Sequence, residues 1–206
     1  MRTIIHTVYN VFCFSKLLFL YKIYTAVFRT RLWLNNIHYG KQVVCFNAIP
    51  ILQINRKAAL VNIEDYVTFN AYTSQSWYCG CTIIVLENAE LKIGRHSGMN
   101  GVLIYCAEKV TIGDYVNIGG GTRIFDSNQH NLCWQERRDI KLNPIAKTAP
   151  IFIEDDVFIG ADCMIEKGIT IGARSIIAAG SVVVKSIPAD EIWGGNPARY
   201  IKKINP

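Results

Sequence analysis

Six aliphatic residues, Ile153, Ile159, Ile165, Ile171, Ile177 and Val183, fall six positions apart without a gap. That period fits neither an α-helix, which repeats every 3.6 residues, nor a simple strand, which repeats every two. Four residues after each anchor stands Val157, Cys163, Ile169, Ser175, Ser181 or Ile187, mostly small or β-branched. The register is present earlier as Ile112, Ile118 and Ile124, with Val116 and Thr122 in the second position. Gly94, Gly113, Gly119, Gly160 and Gly172 directly follow an apolar anchor. A chain of this kind turns every six residues and sends one large aliphatic side chain inward per turn. Three turns close a triangular coil of about eighteen residues, and stacked coils pair their backbones about 4.8 Å apart. One coil cannot bury its aliphatic face alone, so the stack is the core and the expected fold is an all-β solenoid.

The repeat breaks after Ile124 and resumes at Ile153. Between them lies "FDSNQHNL" and then a charged segment too long to continue a coil, so residues 131–150 are expected to loop out. An excursion from a rigid scaffold, with His130 at its start, is where function is commonly displayed. Read alone, His130 is ordinarily a carbonyl-bonded loop histidine and the basic C-terminus a solvated tail, while Asn100 beside Gly101 is equally a turn former.

The consecutive repeats resemble those of the hexapeptide-repeat acyltransferases, over roughly Asn62 to Ile204. The resemblance implies a left-handed parallel β-helix; the general crossover rule on its own would favour the right hand. Asp126 and His130 match the D-x-x-x-H segment of the sugar and polysaccharide O-acetyltransferases, which implies His130 as the catalytic base and leaves Asp126 to orient the imidazole or to terminate the turn. Asn100, in "SGMNGVLIY", aligns with an asparagine that lines the acyl and acceptor site of related enzymes. The implied donor is acetyl-coenzyme A, with no metal required. By resemblance its arm passes Ala161 and Ala179, then Val184 and Lys185. The "GGNPARYIKK" ending resembles the G-x-P-A-[RK] signature, in which Arg199 and Lys202 reach the nucleotide phosphates. Phe158 departs from the tryptophan of several sugar acetyltransferases, and the resemblance gives His96 no role. Family members place the histidine of one subunit opposite the coenzyme groove of the next, which implies a homotrimer. A sugar or surface-polysaccharide unit is the implied acceptor.

The N-terminal third reads differently. Residues 1–63 contain eight Lys or Arg and no Asp or Glu, whereas the rest holds fourteen basic and sixteen acidic residues. This asymmetry is expected of a segment that meets an anionic surface. From Ile4 to Phe28 the chain is apolar but interrupted by Lys16 and Lys22, with no small-residue cleavage site, so neither a clean span nor a signal peptide is expected. An N-terminal helical segment over residues 1–39, ahead of a β-helix domain over 40–206, has two readings. It lies in a headgroup region with Lys16, Lys22, Arg29 and Arg31 on phosphates, or it packs on the solenoid or a neighbouring subunit. Its aromatics sit among aliphatics, which argues against nucleic acid. The seven cysteines are odd in number and lack CxxC pairs. They read as reduced core residues of a cytoplasmic protein, peripheral at most to the inner face of the membrane.

Three other readings share the solenoid. A carbonic anhydrase needs three zinc-binding histidines on adjoining coils, and with His6 and His38 placed ahead of the solenoid too few of the four remain. A non-catalytic trimeric scaffold leaves the G-N-P-A-R ending without purpose. N-acylation of an amino sugar uses the same fold and donor, and is separated from O-acetylation by comparing amine with hydroxyl acceptors.

Overall fold

A computed structural model describes residues 2–55, 59–71, 80–138 and 147–205, with side chains from Leu18 onward. Helix α1 (Arg2–Leu34) leads into a stack of coils, each turning through three parallel sheets. The first sheet contains His38–Tyr39, Leu60–Ile63, Glu90–Ile93, Lys109–Ile112, Ile151–Ile153 and Thr170–Ile171. The third contains Ile51–Ile54, Thr82–Val85, Leu103–Cys106, Arg123–Phe125, Met164–Ile165 and Val182–Val183. The second contains Val44–Phe46, Thr68–Asn70, Gly98–Asn100, Asn117–Ile118, Phe158–Ile159 and Ile176–Ile177, and continues past the last coil through Glu191–Gly194 and Arg199–Lys203.

The six-residue period maps directly onto this architecture. Ile153 pairs with Ile171, Ile159 with Ile177 and Ile165 with Val183, one anchor on each sheet per coil. All six are buried, and so are the second-position residues Val157, Cys163, Ile169, Ser175, Ser181 and Ile187 at the corners. Burying each aliphatic anchor contributes roughly 1.5–3 kcal/mol. The polar corner residues are tolerated because each is bonded: the Thr122 hydroxyl donates to Gly160 O at 3.0 Å and that of Ser175 to Pro188 O at 2.6 Å. Gly160 is required by close approach, since a Cβ there would lie 2.5 Å from Ala179 N on the next coil.

Coils extend upstream of the segment in which the repeat is legible. His38 and Tyr39 pair with Asn62 and Ile63, so His38 belongs to the first coil and does not precede the solenoid as its sequence position led us to expect. Among the described residues no group of three His, Cys, Asp or Glu side chains is placed to hold a metal ion. His96 stacks between Tyr66 and Tyr115, at ring distances of 4.7 and 4.8 Å, on one corner of three successive coils. Left-handed backbone at all three, φ 63°, 57° and 57°, turns that corner.

Helix α1 closes the first coil. Phe28 and Leu32 are fully buried, Phe28 meets the Phe69 ring edge-on at 5.2 Å, and Tyr21 stacks on Phe46 at 4.5 Å. Cys45 N donates to the Thr25 hydroxyl, which in turn reaches Cys45 O, each at 3.3 Å. The inner face of the helix therefore packs on the solenoid, where it covers an otherwise open apolar end. Its outer face carries exposed Phe19, Ile23, Trp33 and Leu34. Lys16 lies among the residues whose side chains are outside the described set.

Candidate active site

The break in the repeat is an excursion with a closed neck. Ser127 bridges Thr148 in antiparallel fashion, Asn128 N donates to Lys147 O at 3.1 Å, and Ala149 N donates to Asp126 O at 2.9 Å. Across this insertion Ile112 still pairs with Ile153 and Ile118 with Ile159. His130 stands exposed just beyond the neck, after Gln129 in left-handed backbone, and its amide turns back to Asn128 O at 2.7 Å. Asn131 then organises a short helix, α2 (Trp134–Arg138): its Oδ1 accepts from Cys133 N at 3.1 Å, its amide donates to Glu136, and its carbonyl accepts from Arg137 Nη1 at 3.0 Å. Residues 139–146 of the expected loop lie outside the described set.

Asp126 is fully buried at the root of this loop. One carboxylate oxygen accepts from Ala107 N at 2.7 Å; the other accepts from Glu108 N at 2.7 Å and Lys109 N at 2.8 Å. Burial pushes the carboxyl above its ordinary pKa, against the pull of these amides. The same carboxylate adds to the burial that raises the neighbouring Tyr105 hydroxyl and Cys106 thiol. Of the two roles left open for Asp126, this geometry fits the turn-terminating one.

Asn100 occupies a different place, at the end of its strand where the second sheet turns toward the third. Strand Leu103–Cys106 separates it from the corner that Asp126 caps. It lines a cavity of about 250 Å³ on the outer face of the second sheet, with Thr68, Asn70, Asn117 and Phe158, opened by the missing side chain of Gly98. Asn70 Oδ1 is taken by Ala71 N at 2.9 Å, but the buried Oδ1 of Asn100 has no hydrogen-bond partner. Such an orphan costs about 1–3 kcal/mol unless a bound group donates to it. Phe158 is 49% exposed and forms a wall of the same cavity. A larger hollow of about 630 Å³ on the first sheet is lined by none of the expected site residues.

Ala161 and Ala179 stack on the corner between the second and third sheets, where Gly180 N donates to Ala161 O at 2.8 Å. A Cβ at Gly180 would meet nothing within 4 Å, so this corner is open to a ligand. Val184 and Lys185 are exposed but follow Val182–Val183, at the opposite edge of the third sheet and the same edge from which the loop departs. One chain therefore does not bring them together with the two alanines.

The C-terminal hairpin holds a feature that the sequence does not announce. Ile192 pairs with Lys202 but Trp193 pairs with Tyr200, so Ile201 is an extra residue at a bulge. Directly paired residues share a face of the sheet, which puts Tyr200 with Trp193 on one side and Arg199 and Lys202 with Gly194 and Ile192 on the other. Trp193 follows buried Ile177 in register and meets Tyr200 edge-on at 6.4 Å. Arg199 and Lys202 therefore share the outer face, in line with Phe158 and Asn100. Without the bulge, residues three apart in a strand would point to opposite sides. Asn70, paired with Asn100, was also missed; its signal was an asparagine directly after the inward anchor in both "FNA" and "MNG".

Comparison with known proteins bears on the fold. The family model for the hexapeptide repeat of succinyl-transferase matches residues 150–185. A Saccharomyces cerevisiae protein named as an acetyltransferase is 31% identical over 77% of this chain and 76% of its own length. The hexapeptide-repeat acetyltransferase of Vibrio cholerae, solved with acetyl-coenzyme A, is 30% identical over 76% of this chain and 72% of that one, with a TM-score of 0.50. A maltose O-acetyltransferase from Clostridium difficile is 25% identical over 90% of this chain and 84% of that one, with a TM-score of 0.55. The chain spans only 27% of the length of a Clostridium perfringens tetrahydropyridine-dicarboxylate N-acetyltransferase, to which it is 50% identical over 64 residues. With its coils in hexapeptide register and its yeast relative matched along most of both chains, this protein belongs to the hexapeptide-repeat acetyltransferase family and has that family's left-handed parallel β-helix.

Proposed function

We propose that the protein moves an acetyl group from acetyl-coenzyme A to a hydroxyl of a sugar or surface-polysaccharide unit, with His130 as general base. The observation that carries this reading is His130 itself, exposed on a closed-neck excursion that a regular coil stack holds in place. The neutral imidazole takes the hydroxyl proton as the acceptor oxygen attacks the thioester carbonyl. The tetrahedral centre then collapses, the carbon–sulfur bond breaks, and the departing thiolate receives that proton. General base catalysis of this kind contributes roughly 10² to 10⁴ in rate. Asn100 lines the acceptor and acyl site, where its unpartnered oxygen accepts from a substrate hydroxyl or amide.

The donor runs along the outer face of the second sheet. From Asn100 to Arg199 is five strand spacings, about 24 Å at about 4.8 Å each, which suits a long extended donor with phosphates at its far end. Ala161 and Ala179 admit its arm, and Arg199 and Lys202 meet its phosphates. Because the loop root and the alanine corner lie at opposite edges of the third sheet, His130 of one copy serves the groove of the next in a homotrimer, where Val184 and Lys185 also approach the donor. The five described free cysteines, four of them buried, suit the reducing cytoplasm.

The test is thiol release from acetyl-coenzyme A across an array of sugars and carrier-linked glycans. His130→Ala should lower turnover by about two orders of magnitude or more while leaving donor affinity near wild type. Undiminished turnover in that variant would remove His130 from the mechanism. The similarity to a Clostridium N-acetyltransferase, whose named substrate is not a sugar, favours a nitrogen acceptor in general, and the alternative considered is transfer to an amino sugar. A neutral amine needs no deprotonation before attack, so that reading expects preference for amine acceptors and a smaller effect of His130→Ala.

A further inference from the structure

We propose that the outward face of helix α1 is a docking surface for an anionic lipid bilayer. Packing of Phe28 and Leu32 on the first coil fixes the rotation of the helix, and therefore what it shows on its far side. At about 100° per residue, Phe19, Ile23, Ala26, Trp33 and Leu34 fall within an arc of roughly 100° opposite Phe28, with Thr30 in its middle, whose hydroxyl is turned back onto Ala26 O at 3.0 Å. Phe19 is 65% exposed, Trp33 69% and Leu34 57%. Two faces of one helix are thus mainly apolar, and the coil stack covers only one.

The charges beside this stripe select its partner. Exposed Lys22 and Arg29 lie along one flank and exposed Arg31 along the other, and the first acidic residue in the chain is Glu64. An apolar stripe between basic flanks is the pattern of a helix lying in the headgroup layer, with aliphatic stems buried and cationic ends at phosphates. Trp33, near the end of the helix, has the amphipathic ring favoured at that depth. A second copy offering the same face would set these cations against their own kind, which is unfavourable once the stripe excludes water. The inner side of the helix comes close to the second-sheet cavity, since Tyr21 stacks on Phe46 and Phe46 pairs with Asn70 of its lining. The outward face is the opposite side of the helix, and its assignment is independent of the acetyl-transfer reading.

The experiment is flotation of the full-length protein with vesicles of phosphatidylcholine alone and of phosphatidylcholine with phosphatidylglycerol. Binding is expected only to the second kind, and should weaken as salt rises. Lys22→Ala with Arg31→Ala should reduce the partition coefficient roughly tenfold or more. Phe19→Glu with Ile23→Glu should abolish flotation while leaving melting temperature and oligomeric mass unchanged, since both positions are exposed. No flotation with anionic vesicles, or equal flotation with both kinds, overturns the proposal. A change of oligomeric mass in the glutamate variant, without lipid binding by the wild type, would instead assign the face to a second copy of the chain.

Discussion

Asp126→Ala separates a loop anchor from a catalytic partner. The substitution removes a fully buried acceptor from three partly buried backbone amides, at 2.7, 2.7 and 2.8 Å. Each unsatisfied buried donor costs about 1–3 kcal/mol; water entering the vacated space recovers part of that, which leaves a loss of about 4 kcal/mol. For a chain of this length the melting temperature should fall by about 8–16 °C. Calorimetry at fixed protein concentration measures this, beside turnover and His130→Ala as the comparison. His130 is exposed, so its alanine variant should melt within about 2 °C of wild type. The pH dependence adds a second readout. Burial raises the Asp126 carboxyl above 3.8, so the folded chain keeps this proton to higher pH than the unfolded chain does. In that window the folded state binds more protons, and its stability falls as pH rises through it. This slope should vanish in Asp126→Ala. An unchanged melting temperature with turnover as low as in His130→Ala would refute the anchoring role and make the carboxylate a partner of the imidazole.

Replacing both Arg199 and Lys202 with Ala should weaken acetyl-coenzyme A binding severalfold or more, and acetyl-pantetheine binding much less, by calorimetric titration; equal losses would tie the pair to folding alone. Gly160→Ala should shift the urea midpoint by an amount equivalent to about 1–3 kcal/mol, because its Cβ would sit 2.5 Å from Ala179 N. Gly180→Ala, with open space around it but φ of +71°, should cost only about 1–2 kcal/mol of backbone strain.

The coils from Ile151 to Val183 were legible because each corner there takes a fixed number of residues, so the anchors keep strict time. Upstream the count changes: Ile104 and Ile112 are consecutive inward anchors eight positions apart, and Phe69 and Met99 stand where aliphatics are expected. Added residues fall both between Ile104 and Ile112, from the third sheet to the first, and between the second and third, where Phe69 and Ile83 stand fourteen positions apart, so the period dissolves although the pairing persists. This is why His38 seemed to lie ahead of the solenoid. His130 and Asn100 were singled out through the resemblance of their motifs to those of a family. The grouping of Arg199 with Lys202 depends on a bulge at Ile201, and the unsatisfied oxygen of Asn100 depends on what packs around it; both arise from pairing between strands, to which linear spacing is blind. Which face of helix α1 packs on the coils was hidden for a related reason, since apolar residues on two faces leave little amphipathic contrast to read.

The closed neck at Ser127 and Thr148 has an evolutionary implication. Because the coils on either side pair as though nothing intervened, the stack does not register what the excursion contains or how long it is. Substitutions, insertions or wholesale exchange between these two residues are invisible to the core, while everything outside them is held by the arithmetic of the repeat. Selection can thus alter the segment around His130 at little risk to folding, and grafting it between relatives should leave the melting temperature of the coil stack nearly unchanged.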